Sequence, residues 1–350
     1  MASQGGAGLT IMAKNILLIA GGDSSEHEIS LISAKYVASQ LEQNPDYHVL
    51  NCVLHDSQFQ FADGSVGYFT QGANFVVRAA DGTEQSYKID CAVPCLHGFP
   101  GETGDIQALL MMHQVPFIGC DKEASINCFN KVTTKLYFTA LNIENTPYIF
   151  IADASEAALK QAHSAFANFG NDVYVKAASQ GSSIGCYHVT DESKLDAAIK
   201  EALSYSPLVL VEKTIVHREL EVAAYEYNGE LHITDPGEII IPQDKFYTFD
   251  EKYSADSSST TTVEVKDLSP VQKDIIKSMA RRAFVGLHLR HLSRIDFFLG
   301  NDGVVYLNEI NTFPGMTPIS MFPKLVEHAG LPMSKFFSAC VEDAIAHQAH

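Results

Sequence analysis

No CxxC pair and no Cys/His grouping with zinc spacing occurs in this sequence, although it holds seven cysteines. They are odd in number and scattered, which reads as reduced packing residues of a cytoplasmic protein, not a disulfide framework. No apolar run approaches the roughly 18 residues of a membrane span, and "NILLIA" is too short for the core of a signal peptide. Positive charge is scarce: 24 Lys and Arg stand against 42 Asp and Glu, a formal net charge of −18. That balance argues against a nucleic-acid backbone as partner, so an anionic ligand needs a locally basic pocket. Low-complexity tracts and internal repeats are absent. So are a Walker A loop, with no GKS or GKT anywhere, and a GxGxxG fingerprint.

The 350 residues are too many for one simple core and suggest several domains. Residues 1–11 read as a flexible extension before Met12. "KNILLIAGG" (14–22) is an apolar strand ending at paired glycines, and helical periodicity follows, then the strand-like "YHVLNCVLH" (47–55). This opens an N-terminal parallel, Rossmann-like α/β domain over 12–118. "CAVPCLHG" (91–98) is a further strand, Asp105 is placed to cap the helix after it, and Ser25-x-x-Glu28 reads as a capping box for the first helix. A long helix over about 121–141 leads into a small α+β region, assigned to 119–211 because its strands and helices lack a βαβ rhythm. The strand "PLVLVEK" (207–213) begins a third, α+β region, with a domain assigned to 212–350. It contains a hairpin at Asn228-Gly229, a long polar loop over 243–262, a helix over 269–289, a hairpin over 292–311 and two closing helices.

The hairpin "HLSRIDFFLGNDGVVYLNEIN" (291–311) carries the first chemical signal. Depending on which turn residues are used, Glu309 faces either Arg294 or Asp296 across the ladder. Both registers place Arg294, Asp296, Glu309 and Asn311 on one face. Opposed carboxylates repel unless a cation sits between them, and hard oxygen donors suit Mg²⁺. An ordinary Arg294–Glu309 surface pair is the alternative. The second signal is "VYVKAASQGSSIG" (173–185), in which a strand delivers Lys176 to a loop bracketing Ser182 and Ser183 between glycines. Free N–H groups of such a loop can wrap phosphate, and a plain hairpin turn is the alternative. Lys131 is a second candidate cation. Glu212 and Glu219 could accept hydrogen bonds from a ribose or an adenine amine, or stand as rim charges. Together these segments describe a nucleoside triphosphate between a glycine loop and a Mg²⁺-holding hairpin.

At this point the chain resembles the D-alanine–D-alanine ligases of the ATP-grasp superfamily, from Lys14 to about Ile345. The resemblance is carried by "GGDSSEHEIS" (21–30), "LHGFPGETGDIQ" (96–107), "VKAASQGSSIG" (175–185), "KFYTFDEKY" (245–253), "SRIDFF" (293–298) and "NEINTFPGMTPIS" (308–320). It implies an ATP-grasp fold and a ligase joining two D-alanines through an acyl phosphate for peptidoglycan precursors, with ATP and two Mg²⁺ or Mn²⁺. By the resemblance, Asp296, Glu309 and Asn311 hold the metals, Lys131 and Lys176 contact phosphates with Ser183 in the same loop, and Glu212 and Glu219 contact adenosine. Glu26 receives the first ammonium, with His97 near its carboxylate. Arg294 and the Gly315 N–H face the acyl phosphate and oxyanion, and Ser320 takes the second carboxylate. Ser182, Tyr253 and Glu26 form a link fastening the 243–262 loop as a lid, with Lys252 beside it. Tyr253 favours an amine over D-lactate as second nucleophile, and D-serine or D-lactate is the alternative. A homodimer is implied by the resemblance alone. The chain departs from the family pattern at Thr103, Ala108, Asn130 and Ala177. A catalytically silent nucleotide-binding protein is the reading from another class.

Overall fold

The computed structural model of the chain describes residues 13–240 and 260–347. Strand β1 (Lys14–Gly21) has both faces covered, which is why its apolar run is continuous. Ile16, Leu18 and Ala20 belong to one core, shared with α1 (His27–Leu41) and the closing helices α8 (Met321–His328) and α9 (Met333–Ala346). Leu17 and Ile19 point into a second core with Phe59, Phe75 and Ile106. β1 lies between parallel neighbours β2 (Tyr47–His55) and β7 (Cys91–Pro94).

The expected parallel sheet is parallel across these three strands and at an isolated bridge from Ala92 of β7 to Phe117. Four short strands extend it as an antiparallel meander, β3 (Gln58–Gln60), β4 (Val66–Phe69), β5 (Asn74–Arg78) and β6 (Glu84–Lys88). Asp63-Gly64 and Asp81-Gly82, each with glycine at positive φ, supply two of its turns.

Three local expectations are corrected. Helix α1 is not held by the Ser25–Glu28 box: Glu26 is its N-cap, and the Ser24 hydroxyl accepts from the Glu26 N–H at 3.1 Å. Asp105 does not cap α2 (Asp105–Met112) but is its first residue, behind Gly104 in the left-handed region. The long helix is two, α3 (Lys122–Phe129) and α4 (Lys131–Ala140). Asn130 between them is extended (φ −82°, ψ 104°), and its side chain accepts from the Val132 and Thr133 N–H groups. The break frees the Lys131 N–H to bond the Ala178 carbonyl at 2.9 Å, tying α4 to the glycine loop.

A four-stranded antiparallel sheet follows, in the order β10 (Cys186–Val189), β9 (Val173–Ala177), β11 (Val209–Lys213), β8 (Tyr148–Ile151). Helices α5 (Glu156–Asn168) and α6 (Leu195–Tyr205) bury Phe166 and Ile199 in its core. Strand β11, expected to open the third region, therefore belongs to this second sheet. The third sheet centres on β12 (His217–Tyr227), flanked by β14 (Gly237–Ile240) and β16 (Leu292–Gly300), with β13 (Glu230–Ile233) folded back on it. β17 (Val305–Asn311) and β15 (Thr260–Thr262) are its edges. The last three residues of the expected 243–262 loop are thus strand. Helix α7 (Pro270–Gly286) starts at a capping box made by Ser269 and Gln272 and covers one face of this sheet. All seven cysteines are free thiols, and six are buried, as packing residues should be.

Candidate active site

The β16–β17 hairpin settles the question of register. Next to the turn Leu299 pairs with Val305, but beyond a bulge Asp296 pairs with Glu309 and Arg294 with Asn311. Phe297 pairs with Leu307, so Asn308 is the extra residue. The bulge changes the alternation: Leu307 and Ile310 both face the core behind the sheet, while Asn308 and Glu309 line the cleft with Asp296. The two carboxylates are therefore directly opposed. Arg294 holds both oxygens of Asp296, Nε to Oδ1 at 2.8 Å and Nη2 to Oδ2 at 2.7 Å. Its Nε also lies 3.3 Å from Glu221 Oε2, and Asn311 Nδ2 donates to Asp296 Oδ2 at 3.1 Å. This donor set, oxygen without sulfur or imidazole, fits a hard divalent cation such as Mg²⁺ or Mn²⁺.

Across the cleft, Lys176 is the penultimate residue of β9, just before the glycine loop. Ser182 (φ 51°) and Ser183 (φ 62°) are successive non-glycine residues in the left-handed region, a conformation that turns neighbouring N–H groups to one side. The Lys131 ammonium donates to the Gln180 carbonyl at 2.5 Å, clipping the loop from α4. Lys176 does not stand free either: its Nζ donates to Glu212 Oε1 at 2.7 Å. Glu212 is buried, and its Oε2 lies 3.1 Å from Lys135, a residue the sequence reading overlooked. Burial raises the Glu212 carboxyl, but Lys135 and Lys176 outweigh it and bring it down to about 2. Glu212, read as an adenosine contact, thus has both oxygens engaged by lysines. Glu219 keeps the rim position, with Oε1 3.6 Å from His217 Nε2.

The first sheet supplies the third wall. Glu26 is buried at the start of α1, and its Oε2 lies close to Gly98 and Gly181, where an added Cβ would come within 3.5 and 3.1 Å of it. His97 is held at both ring nitrogens, Nδ1 by the Phe313 carbonyl at 3.2 Å and Nε2 by the Ser33 hydroxyl at 3.0 Å. A carbonyl only accepts, so Nδ1 is the donor and Nε2 accepts from Ser33. Burial lowers its pKa, which fits a neutral ring. The same Ser33 oxygen accepts from the Met316 N–H at 3.1 Å, so His97 and Ser33 hold the 313–316 turn. Gly315 lines the cleft. Ser320 stands behind it, with Oγ 3.1 Å from where a Gly315 Cβ would be, bonded to Thr317 Oγ1 at 2.7 Å. Tyr253 and Lys252 lie outside the described residues.

Sequence reading also missed Glu102 and Glu221. Glu102 lines the cleft and accepts from the Gly98 N–H at 2.8 Å; burial, then the Glu26 charge, raises its carboxyl to about 8. Its position in "HGFPGETGD" was the available signal. Glu221, buried two residues from Glu219 on β12, could have been found from alternation alone.

Comparison with known proteins places both halves of the chain. Residues 15–120 match the family model described as D-ala D-ala ligase N-terminus, and residues 137–342 match the one described as D-ala D-ala ligase C-terminus. The D-alanine–D-alanine ligase of Vibrio atlanticus (strain LGP32) is 51% identical over 332 residues, 95% of this chain and 99% of that one. The crystal structure of D-alanyl-alanine synthetase A from Vibrio cholerae O1 biovar eltor matches with a TM-score of 0.90 at 47% identity, covering 96% of this chain and 99% of that chain. VanG D-Ala:D-Ser ligase from Enterococcus faecalis matches with a TM-score of 0.82 at 25% identity, covering 95% and 100%.

Proposed function

The chain belongs to the D-alanine–D-alanine ligase family of ATP-using ligases, and from that premise we propose how its residues join two D-alanines into the dipeptide used for peptidoglycan precursors. The observation that carries the reading is one cleft with opposed carboxylates on one wall and a lysine-fed glycine loop on the other. An amine cannot usefully expel oxide from a free carboxylate. Transfer of the γ-phosphoryl group of ATP to the first D-alanine gives an acyl phosphate and ADP. The second amine attacks the acyl carbon, the bond to the phosphate oxygen breaks, and the peptide bond forms as phosphate and a proton leave.

Asp296, Glu309 and Asn311 are suited to hold two Mg²⁺ or Mn²⁺, which when bound neutralise triphosphate charge. Lys176, Lys131 and the Ser182–Ser183 backbone orient the phosphates, and Glu212 and Glu219 border the adenosine. Glu26 receives the first ammonium, and His97 shapes the neighbouring wall through Ser33 and Phe313. Arg294 and the Gly315 N–H offset charge on the acyl phosphate and the tetrahedral oxyanion. Ser320, with Thr317, takes the second carboxylate. Tyr253 and Lys252 keep the roles the resemblance gives them. No helix among the described residues is long and apolar enough to cross a membrane, and a cytoplasmic homodimer completes the proposal.

Incubation with ATP, Mg²⁺ and D-alanine is expected to release phosphate together with D-alanyl-D-alanine, and L-alanine is expected not to replace it. ATP binding without dipeptide overturns the reading. D-Serine or D-lactate outcompeting D-alanine as second substrate at neutral pH reassigns the acceptor while leaving the activation step intact.

A further inference from the structure

Helix α4 carries two lysines one turn apart, on the same side of the helix. Lys131 reaches the glycine loop, whereas Lys135 turns inward and is 3% exposed. The Lys135 Nζ has three oxygen acceptors around it, Glu212 Oε2 at 3.1 Å, the Thr146 carbonyl at 3.1 Å and Asn145 Oδ1 at 3.3 Å. Three N–H groups and three acceptors describe a saturated ammonium. It also lies 5.0 Å from the centre of the Tyr148 ring. Glu212, equally buried, is shared between Lys135 and the phosphate-side lysine Lys176.

The electrostatic consequence follows from counting charges. Lys176 and Glu212 alone would be a neutral pair at the mouth of the glycine loop, useless for drawing in a triphosphate. With Lys135 the unit carries one net positive charge, although its only carboxylate is buried. Burial pushes the Lys135 ammonium down and the Glu212 carboxyl up, and the ion pairs oppose both changes.

We propose that Lys135 is a positioning residue for phosphate recognition, which holds the far oxygen of Glu212 so that the near oxygen aims Lys176 without cancelling its charge. The proposal rests on the reading above that Lys176 and the glycine loop receive the ATP phosphates.

The test uses the full-length protein, with KM and kcat for ATP and calorimetric binding of magnesium tripolyphosphate, a probe without adenosine. Lys135→Met is expected to raise KM for ATP and weaken tripolyphosphate binding by about tenfold, with kcat changed by less than about threefold. Glu212→Gln keeps an acceptor for Lys176 and removes the negative charge. The double variant Lys135→Met/Glu212→Gln is therefore expected to bind tripolyphosphate more tightly than Lys135→Met alone, to within about threefold of wild type. A purely structural lysine gives no such rescue. Lys135→Gln, which keeps a donor toward Thr146, serves if the methionine variant does not fold. Tripolyphosphate binding within twofold of wild type in the single variant, or a double variant no better than the single, overturns the proposal. Wild-type protein that binds tripolyphosphate but makes no dipeptide overturns the ligase reading and leaves the Lys135 proposal standing.

Discussion

The two long walls of the cleft are near mirror images in charge. On the third sheet, Arg294 pairs with two carboxylates, Glu221 and Asp296, and a third, Glu309, faces Asp296 across the ladder. On the second sheet and α4, Glu212 pairs with two ammonium groups, Lys135 and Lys176, and a third, Lys131, lines the same cleft, held by the Gln180 carbonyl. Each wall keeps its excess charge tolerable with a single opposite ion, and neither excess is useful to folding, because like charges at close range repel. The excesses make sense together. A bound phosphate chain would offset the net positive charge of the lysine wall, and a cation carried with it the net negative charge of the carboxylate wall. A protein of net charge −18 can thus attract an anion by arranging a few groups locally, whatever its total charge.

Removing charge from either wall tests that complementarity. The largest effect is expected for Glu309→Gln. Its carboxylate faces the cleft while Leu307 and Ile310 beside it fill the core, so folding should survive. Phosphate release with ATP, Mg²⁺ and D-alanine should fall at least about 100-fold, while thermal melting stays within about 2 °C. Undiminished turnover would show that the carboxylate wall holds no cation. Lys176→Met comes next. Loss of a charge-assisted contact is worth about 1.5–3 kcal/mol, so KM for ATP should rise roughly 10- to 100-fold, with KM for D-alanine much less affected. Equal rises in both would remove the distinction between the walls.

The carboxylate wall was far more legible in the sequence than the lysine wall, and the reason is physical. Alternation along two strands joined by a recognisable turn puts Arg294, Asp296, Glu309 and Asn311 on one face in either register. Only the bulge at Asn308 was invisible, because an extra residue depends on how both strands pack at their far ends. The lysine wall depends on groups brought together from distant segments. Nothing local distinguishes Lys135 from a solvated helix lysine; β11 and the 145–148 segment bury it. The break at Asn130 was hidden for a similar reason. No glycine or proline marks it, and the bond from the Lys131 N–H to the Ala178 carbonyl is a tertiary contact. The antiparallel meander in the first sheet had hairpin signals at Asp63-Gly64 and Asp81-Gly82 that went unread.

That break offers a smaller test of the lysine wall. Asn130→Ala removes the acceptor for two N–H groups at the start of α4 and should destabilise the protein by about 1 kcal/mol. Since the same turn sets where Lys131 begins, a modest rise in KM for ATP should accompany the loss in melting temperature. Lost stability with unchanged KM would mean that the glycine loop holds its shape without α4.

The smallest effect sharpens the comparison from the third wall, where Glu102 lies near Glu26 and the Arg294 charge only partly offsets the pair. Burial and the Glu26 charge raise its carboxyl from the ordinary 4.5 to about 8. The folded state therefore holds a proton that the unfolded chain releases near pH 4.5. This stabilising contribution is fully present below pH 4.5 and is lost as pH rises toward 8. Glu102→Gln keeps the neutral form at every pH. In metal- and nucleotide-free buffer, the variant should match wild type near pH 4.5 and become the more stable protein as pH rises, the gap levelling above pH 8. The carboxyl is partly open to the cleft, so the gap should reach only about 1 kcal/mol. A melting-temperature difference that stays constant from acid to alkaline pH would mean that Glu102 ionises freely, and that a cluster of carboxylates in this cleft needs no counter-ion to stay charged.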